Sequence, residues 1–221
     1  MPGKTLVFVP TYNERENVQT LYRRIDAVPI DKDILFMDDN SPDGTGELLN
    51  KIAKADPRVV VVHREGKQGI GSAHREGIRW AYAQGYDTLV TMDADFTHDP
   101  SLMVKLIEVS DSAALVIPSR YLADESLKDW NVFRKCLTFA GHWLTSMLLG
   151  LKNDATGAYR LYRLDRIPER FLDRVYSKGY AFFFESLYVL VRNGIRVEEV
   201  PISLPKRTYG SSKMSYREIF R

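Results

Sequence analysis

The chain has 221 residues, 44% of them hydrophobic and 27% charged, which excludes a disordered tail, a collagen-like fibre and a coiled coil. A single cysteine, Cys136, excludes an internal disulfide and a cysteine-rich zinc module, and it fits a reducing compartment. The net charge of +2 hides an asymmetry: residues 1–110 carry 13 Lys/Arg against 17 Asp/Glu, and residues 111–221 carry 18 against 12. An acidic front suits a cation or nucleotide and a basic back suits anions, but the basic residues are too scattered for a nucleic-acid surface.

In chain order, residues 5–9 form a β-rich run and residues 14–28 have helical spacing. The alternation repeats: strand 33–37, helix 46–55, strand 58–62, helix 72–84, strand 88–92, helix 101–109, strand 113–117. Strands separated by helices of this length predict βαβ units, hence an α/β fold with a mostly parallel central sheet and helices on both faces. The second half is less regular. Residues 129–149 read as one long helix, 157–162 as a strand and 181–193 as an aromatic-rich helix closed by Gly194. Residues 197–204 read as a strand that Pro201 pushes to an edge, and 206–213 as a Gly/Ser loop. One domain is expected, a nucleotide-binding half over 1–118 and an acceptor and gate half over 119–221. The longest uncharged run, 136–151, would span ~24 Å as a helix, short of a ~30 Å hydrocarbon core. Met1-Pro2-Gly3-Lys4 leads straight into the first apolar run with no cleavage site, so no signal peptide is expected.

Ligands of open α/β sheets sit at the carboxyl ends of the strands. In this sequence those ends are Pro10-Thr11-Tyr12-Asn13-Glu14, Asp38-Asp39-Asn40-Ser41, Gly66–Gly71, Asp93-Ala94-Asp95 and Ser119-Arg120-Tyr121. The 93–95 element is the sharpest, because two carboxylates at i and i+2 repel unless a cation lies between them. Hard oxygen ligands suit Mg²⁺ or Mn²⁺, completed by a substrate diphosphate. The glycines at 66, 69 and 71 have the wrong spacing for a dinucleotide fingerprint and suggest a backbone turn near a ligand, with a purely structural turn as the alternative. Asp93-Ala-Asp-Phe-Thr97 also matches a D-x-D-x-T phosphatase element. That element normally ends the first strand of its domain and precedes a further acidic pair, whereas the pair here lies upstream at 38–39.

Taken in order, these motifs resemble the family-2 glycosyltransferases of GT-A fold, and most closely the polyprenyl-phosphate (dolichol-phosphate) mannosyltransferases. The second half carries the same resemblance in Trp130 with Arg134, Asp154-Ala-Thr156-Gly157, Gly179-Tyr180-Ala-Phe182 with Glu185, Glu199-Val-Pro201 with Arg207, and Gly210-Ser-Ser-Lys213. The resemblance implies inverting transfer of mannose from GDP-mannose to a polyprenyl or dolichyl phosphate. Another donor such as UDP-glucose, or a soluble or polysaccharide acceptor, is the alternative. It implies that Pro10, Tyr12, Glu14, Met37 and Asp39 hold the nucleoside, and that Asp93, Ala94 and Asp95 meet the diphosphate. It gives Asp93 and Asp95 the metal, with Thr97 where the family often has Gln or Ser. It places Arg120, Arg207 and Lys213 on the sugar-diphosphate, and Arg134 and Thr138 on the acceptor phosphate. Asp154 is the candidate for acceptor-side support. With a membrane-bound acceptor and no span, the resemblance implies a cytoplasmic protein held peripherally at a membrane face, directly or through a small anchoring subunit.

Overall fold

The computed structural model describes residues 3–122, 142–143 and 145–202. Arg134, Thr138, Arg207, Lys213 and most of the expected 129–149 helix lie outside the described residues. Seven strands form one sheet: β1 (Thr5–Thr11), β2 (Asp33–Asp38), β3 (Val59–His63), β4 (Thr88–Thr91), β5 (Leu115–Ser119), β6 (Arg160–Arg163) and β7 (Val197–Pro201). Among the described residues the helices that pack with them include α1 (Arg15–Asp26), α2 (Thr45–Ala55), α3 (Ile70–Ala83), α4 (Met103–Val109), α5 (Glu169–Leu172) and α6 (Ala181–Arg192).

Alternate residues of each strand enter opposite cores, as the period of two requires. Leu6 and Phe8 of β1, with Leu35 and Met37 of β2, pack toward α3 and α6. Val7 and Val9, with Ile34 and Phe36, pack toward α1, α2 and α4. Both faces are therefore covered, and the early strands read as continuous apolar runs. Each fully buried Leu, Val or Phe in these layers contributes about 1.5–3 kcal/mol.

The sheet order is β3-β2-β1-β4-β6-β5-β7. β1, β2, β3 and β4 run parallel, and β7 is the parallel edge partner of β5. β6 enters antiparallel between β4 and β5, with Thr91 opposite Arg160. The mostly parallel expectation holds, with one reversed strand. That reversal matters for position. It brings the amino end of β6, and the loop before it, to the edge where β1, β2, β4 and β5 end. The order also changes direction at β1, so the chain leaves β1 on one side to β2 and on the other to β4. The crevice at such a switch point is where open sheets bind ligands.

Candidate active site

The first two strand ends are tied into one unit. Three consecutive backbone N–H groups, of Asn13, Glu14 and Arg15, donate to Ser41 Oγ (2.9 Å), Thr45 Oγ1 (3.0 Å) and Asp43 Oδ2 (3.1 Å). Asp43 Oδ1 in turn accepts from the Thr45 amide and hydroxyl, which satisfies the first turn of α2. These hydrogen bonds hold the Asp43 carboxyl below its usual range against the opposing effect of burial. Asp38 is buried and accepts from Ser41 Oγ, the Ser41 amide and Thr11 Oγ1. Asn13, Asn40 and Phe96 have positive φ, one just past each of β1, β2 and β4. Left-handed backbone is tolerable for Asn and strained for a bulky Phe, and such strain gathers at functional loops.

The sequence candidates fall into three places. On the β1–β2 side, Pro10 is buried, while Tyr12 and Glu14 are partly exposed. Lys67 Nζ lies 5.1 Å from the centre of the Tyr12 ring, and Glu14 accepts from Asn17. Met37 is fully buried in the core. Asp39 is buried too, and its Oδ1 accepts from Arg64 Nη1 at 2.6 Å. Burial pushes the Asp39 carboxyl up, and the Arg64 guanidinium partly offsets this. Arg64, just past β3, was not a sequence candidate, since a lone arginine after a valine run reads as a solvated cation. Thus the pair Asp38-Asp39, acidic in sequence, is internally compensated in the fold.

On β4, Ala94 is buried and the Asp93 side chain is one-third exposed (35%). Asp95 Oδ1 accepts from the Thr97 amide and, closely, from Thr97 Oγ1. His98, packed at a tilt against the Tyr159 ring, accepts from the Asp93 amide. Among the described residues no group of three His, Cys, Asp or Glu side chains could hold an ion alone. Two carboxylates, one braced by a hydroxyl, instead fit a Mg²⁺-type site that draws its remaining ligands from water and substrate phosphate.

On β5, Arg120 Nε donates to Asp154 Oδ2 at 2.7 Å. Asp154 is 1% exposed, and its Oδ1 accepts from the Thr156 amide and hydroxyl. Its own amide donates to Glu199 Oε1 of β7. Beside this pair, Tyr121 stacks on His142 with ring centres 4.1 Å apart. Burial and the Asp154 charge push the Tyr121 hydroxyl up to about 12.

For the glycine loop the geometry agrees with the structural-turn alternative. A Cβ on Gly69 would lie 2.4 Å from the Lys178 carbonyl, and one on Gly71 would lie 2.6 Å from the Gly179 carbonyl. The loop before α6, not a ligand, fills the space these glycines leave. Glu185 fixes that loop by accepting from the Tyr176 and Ser177 amides. Those bonds outweigh burial and hold the Glu185 carboxyl low.

The family model described as glycosyl transferase family 2 matches residues 6–171, which include every one of these strand ends up to the loop before β6. The chain belongs to this family. It is 43% identical over 214 residues to an undecaprenyl-phosphate mannosyltransferase of Micrococcus luteus, covering 96% of this chain and 88% of the relative. It is 41% identical over 215 residues to a polyprenol monophosphomannose synthase of Mycolicibacterium smegmatis, covering 96% and 81%. Among solved structures it is similar to glucosyl-3-phosphoglycerate synthase from Mycobacterium tuberculosis in complex with Mn²⁺, UDP and phosphoglyceric acid. That match has a TM-score of 0.64 at 18% identity and covers 90% of this chain and 68% of that one. A mannosyltransferase from Pyrobaculum calidifontis in complex with GDP-Man and Mn²⁺ superposes with a TM-score of 0.63 at 18% identity, covering 95% and 59%. At these identities the structural likeness speaks to the fold, which is the GT-A architecture expected from the sequence.

Proposed function

We propose that this chain transfers mannose from GDP-mannose to a polyprenyl phosphate, with inversion at the sugar's anomeric carbon. Two of its relatives carry names of mannose transfer to a polyprenyl phosphate. The observation that carries the acceptor class is the state of two carboxylates. Asp154 and Glu185 are the groups the sequence offers as a general base for a hydroxyl acceptor. Each is committed to internal hydrogen bonds, Asp154 to Thr156 and Arg120 and Glu185 to two amides. A hydroxyl nucleophile needs a base within reach. A phosphate monoester, with a second pKa near ~6, is already ionised at neutral pH and needs only placement.

In this reading a phosphate oxygen of the acceptor attacks the anomeric carbon. The bond from that carbon to the donor's β-phosphate oxygen breaks, and the electron pair leaves with GDP. Pro10, Tyr12, Glu14 and the Asp39–Arg64 pair form the nucleoside end, with Met37 supporting it from the core. Asp93 and Asp95 are the residues that would hold Mg²⁺ or Mn²⁺, and Thr97 braces Asp95. When bound, the ion neutralises charge on the departing diphosphate. Arg120 offers its fork to the same oxygens, in a geometry that suits phosphate. Asp154 orients Arg120. Arg207 and Lys213 join it on the sugar-diphosphate, and Arg134 and Thr138 receive the acceptor phosphate. Residues 1–118 then form the nucleotide-sugar-binding half, and 119–221 the acceptor and gate half, whose cations close over the donor's diphosphate. The protein works peripherally on the cytoplasmic face of a membrane, alone or with a small anchoring subunit.

The test is direct. Purified protein with GDP-mannose, Mn²⁺ and undecaprenyl phosphate in detergent should yield mannosyl-phosphoryl lipid and GDP. Excess EDTA or Asp95→Ala should reduce the rate at least about a hundredfold, the loss typical for a group acting on developing charge. Transfer to a soluble sugar hydroxyl, with none to any lipid phosphate, overturns the reading, and a higher rate with UDP-glucose reassigns the donor.

A further inference from the structure

We infer that Glu199, on the edge strand β7, is a positioning residue for transfer that acts through Asp154 on Arg120. The inference rests on the transferase reading above. In the parallel pairing of β5 with β7, Glu199 lies opposite Ile117, so its strand ends beside Ser119 and Arg120. Its carboxylate spans two donors of the loop before β6: Oε1 accepts from the Asp154 amide at 2.8 Å and Oε2 from Asn153 Nδ2 at 3.2 Å. Neither bond reaches Arg120. Asp154 passes the constraint on, with Oδ1 fixed by Thr156 and Oδ2 fixed on Arg120 Nε at 2.7 Å.

The consequence lies in the arginine. An unrestrained arginine samples many rotamers, and fixing it on an anion costs that freedom. Here the Nε edge is fixed, and among the described residues no hydrogen bond or ion pair uses the two Nη groups. That is a guanidinium held by one side with its other donors left for an anion. The loop that holds it belongs to the irregular stretch 150–159, which has no ladder of its own. Glu199 supplies the anchor that a strand pairing would otherwise supply. Without it, the Asp154 amide loses its acceptor, the carboxylate shifts, and Arg120 shifts with it. Displacements of that kind, remote from the reacting atoms, cost rate without removing a ligand contact.

The experiment uses the full chain with GDP-mannose, Mn²⁺ and undecaprenyl phosphate, and compares wild type, E199A, E199D, E199Q, R120A and E199A/R120A. E199A should lower kcat/KM by about tenfold or more, and E199Q, which keeps an oxygen for the Asp154 amide, should recover most of that loss. E199D keeps the charge but is one methylene too short to span both donors, so it should reproduce the defect and decides the matter if E199A does not fold. In the R120A background, E199A should cost less than about twofold more, because interacting residues are not additive. The same variants are titrated with GDP and Mn²⁺ by calorimetry, where the same non-additivity is expected. Additive losses in both assays, or an E199D indistinguishable from wild type, overturn the inference. A wild type that binds GDP but makes no lipid product sinks the transfer reading alone, and the calorimetric cycle still decides the link.

Discussion

Arg64 shows what a single residue contributes to the β2–β3 side of the candidate site. Its side chain is 2% exposed, yet it carries a full charge. Nη1 meets Asp39, Nη2 meets Ser72, and Nε lies 2.9 Å from Glu76 Oε2 without the alignment of a hydrogen bond. One guanidinium thereby joins the end of β2 to the first two turns of α3. Removing one partner of a buried ion pair costs about 3–5 kcal/mol, because the other charge stays buried. Arg64→Ala should therefore lower Tm by about 10 °C at a rate of ~2–4 °C per kcal/mol for a chain this size. Arg64→Ala with Asp39→Asn should regain much of that loss, since the carboxylate left behind, Glu76, is half exposed and solvated rather than buried; thermal melts of the single and double variants check this. The same residue marks a limit of the sequence. Asp93 and Asp95 were legible as a polar end to an apolar strand. Arg64 was not, because its burial comes from how α3 packs back over the end of β2, with Asp39 brought in from 25 residues upstream, and no local pattern shows that packing. Asp39 and Met37 were legible as lying near the site, but not as buried groups, for the same reason.

At the scale of elements, the helices and strands before residue 120 follow their local patterns to within a few residues. The expected strand 33–37 is Asp33–Asp38 and the expected helix 72–84 is Ile70–Ala83. Pro201, read as an edge signal, ends β7, which is the edge strand. What local pattern does not carry is which strands pair. The reversed β6 lies between β4 and β5 because Leu161 and Tyr162 can serve the two cores from that slot. Helix α5, a single turn after Pro168, is too short to show a period. The Glu199–Asp154–Arg120 chain depends on that pairing and so was visible only as separate motifs. Elements also divide the molecule into an end that works and an end that holds. Asp56, after α2, accepts from Arg58 and from Tyr22 of α1, at the end of the sheet where β3 begins. The Arg58 hydrogen bonds, against a smaller effect of burial, hold its carboxyl at about 2. A depressed carboxylate contributes stability above its unfolded value, and that contribution is lost as pH falls through the folded value. Asp56→Asn should therefore lower Tm at pH 7 by a few degrees. The gap to wild type should close between about pH 4 and pH 2, with no change in kcat/KM at pH 7. Melts across that pH range, paired with one activity assay, measure both halves of the expectation.

At the scale of the whole molecule, the proposed function requires the site to meet a substrate that stays in a bilayer. Among the described residues no helix is long and apolar enough to cross a membrane. The fold instead carries an apolar surface next to the site. Trp143 is 63% exposed, Met147 59% and Leu148 66%, on a short helical stretch over residues 145–149 and the residues before it. The Tyr121–His142 stack joins the start of that stretch to the residue after Arg120. Bulky apolar side chains exposed together beside Arg120 mark an interaction surface, and on the proposed function the surface that covers them is lipid. Each one buried in an acyl region contributes about 1.5–3 kcal/mol. Removing two should then weaken membrane partition by about a hundredfold. In flotation with vesicles of anionic lipid and undecaprenyl phosphate, the wild type should rise with the lipid, and Trp143→Ala with Leu148→Glu should stay below. In detergent, with a short water-soluble polyprenyl phosphate, the same double variant should keep its kcat, because neither side chain belongs to the donor site. If both proteins float equally, the apolar surface is not the membrane contact. If neither floats with any lipid mixture, the acceptor is not drawn from the bilayer, and transfer to a soluble acceptor becomes the reading to pursue.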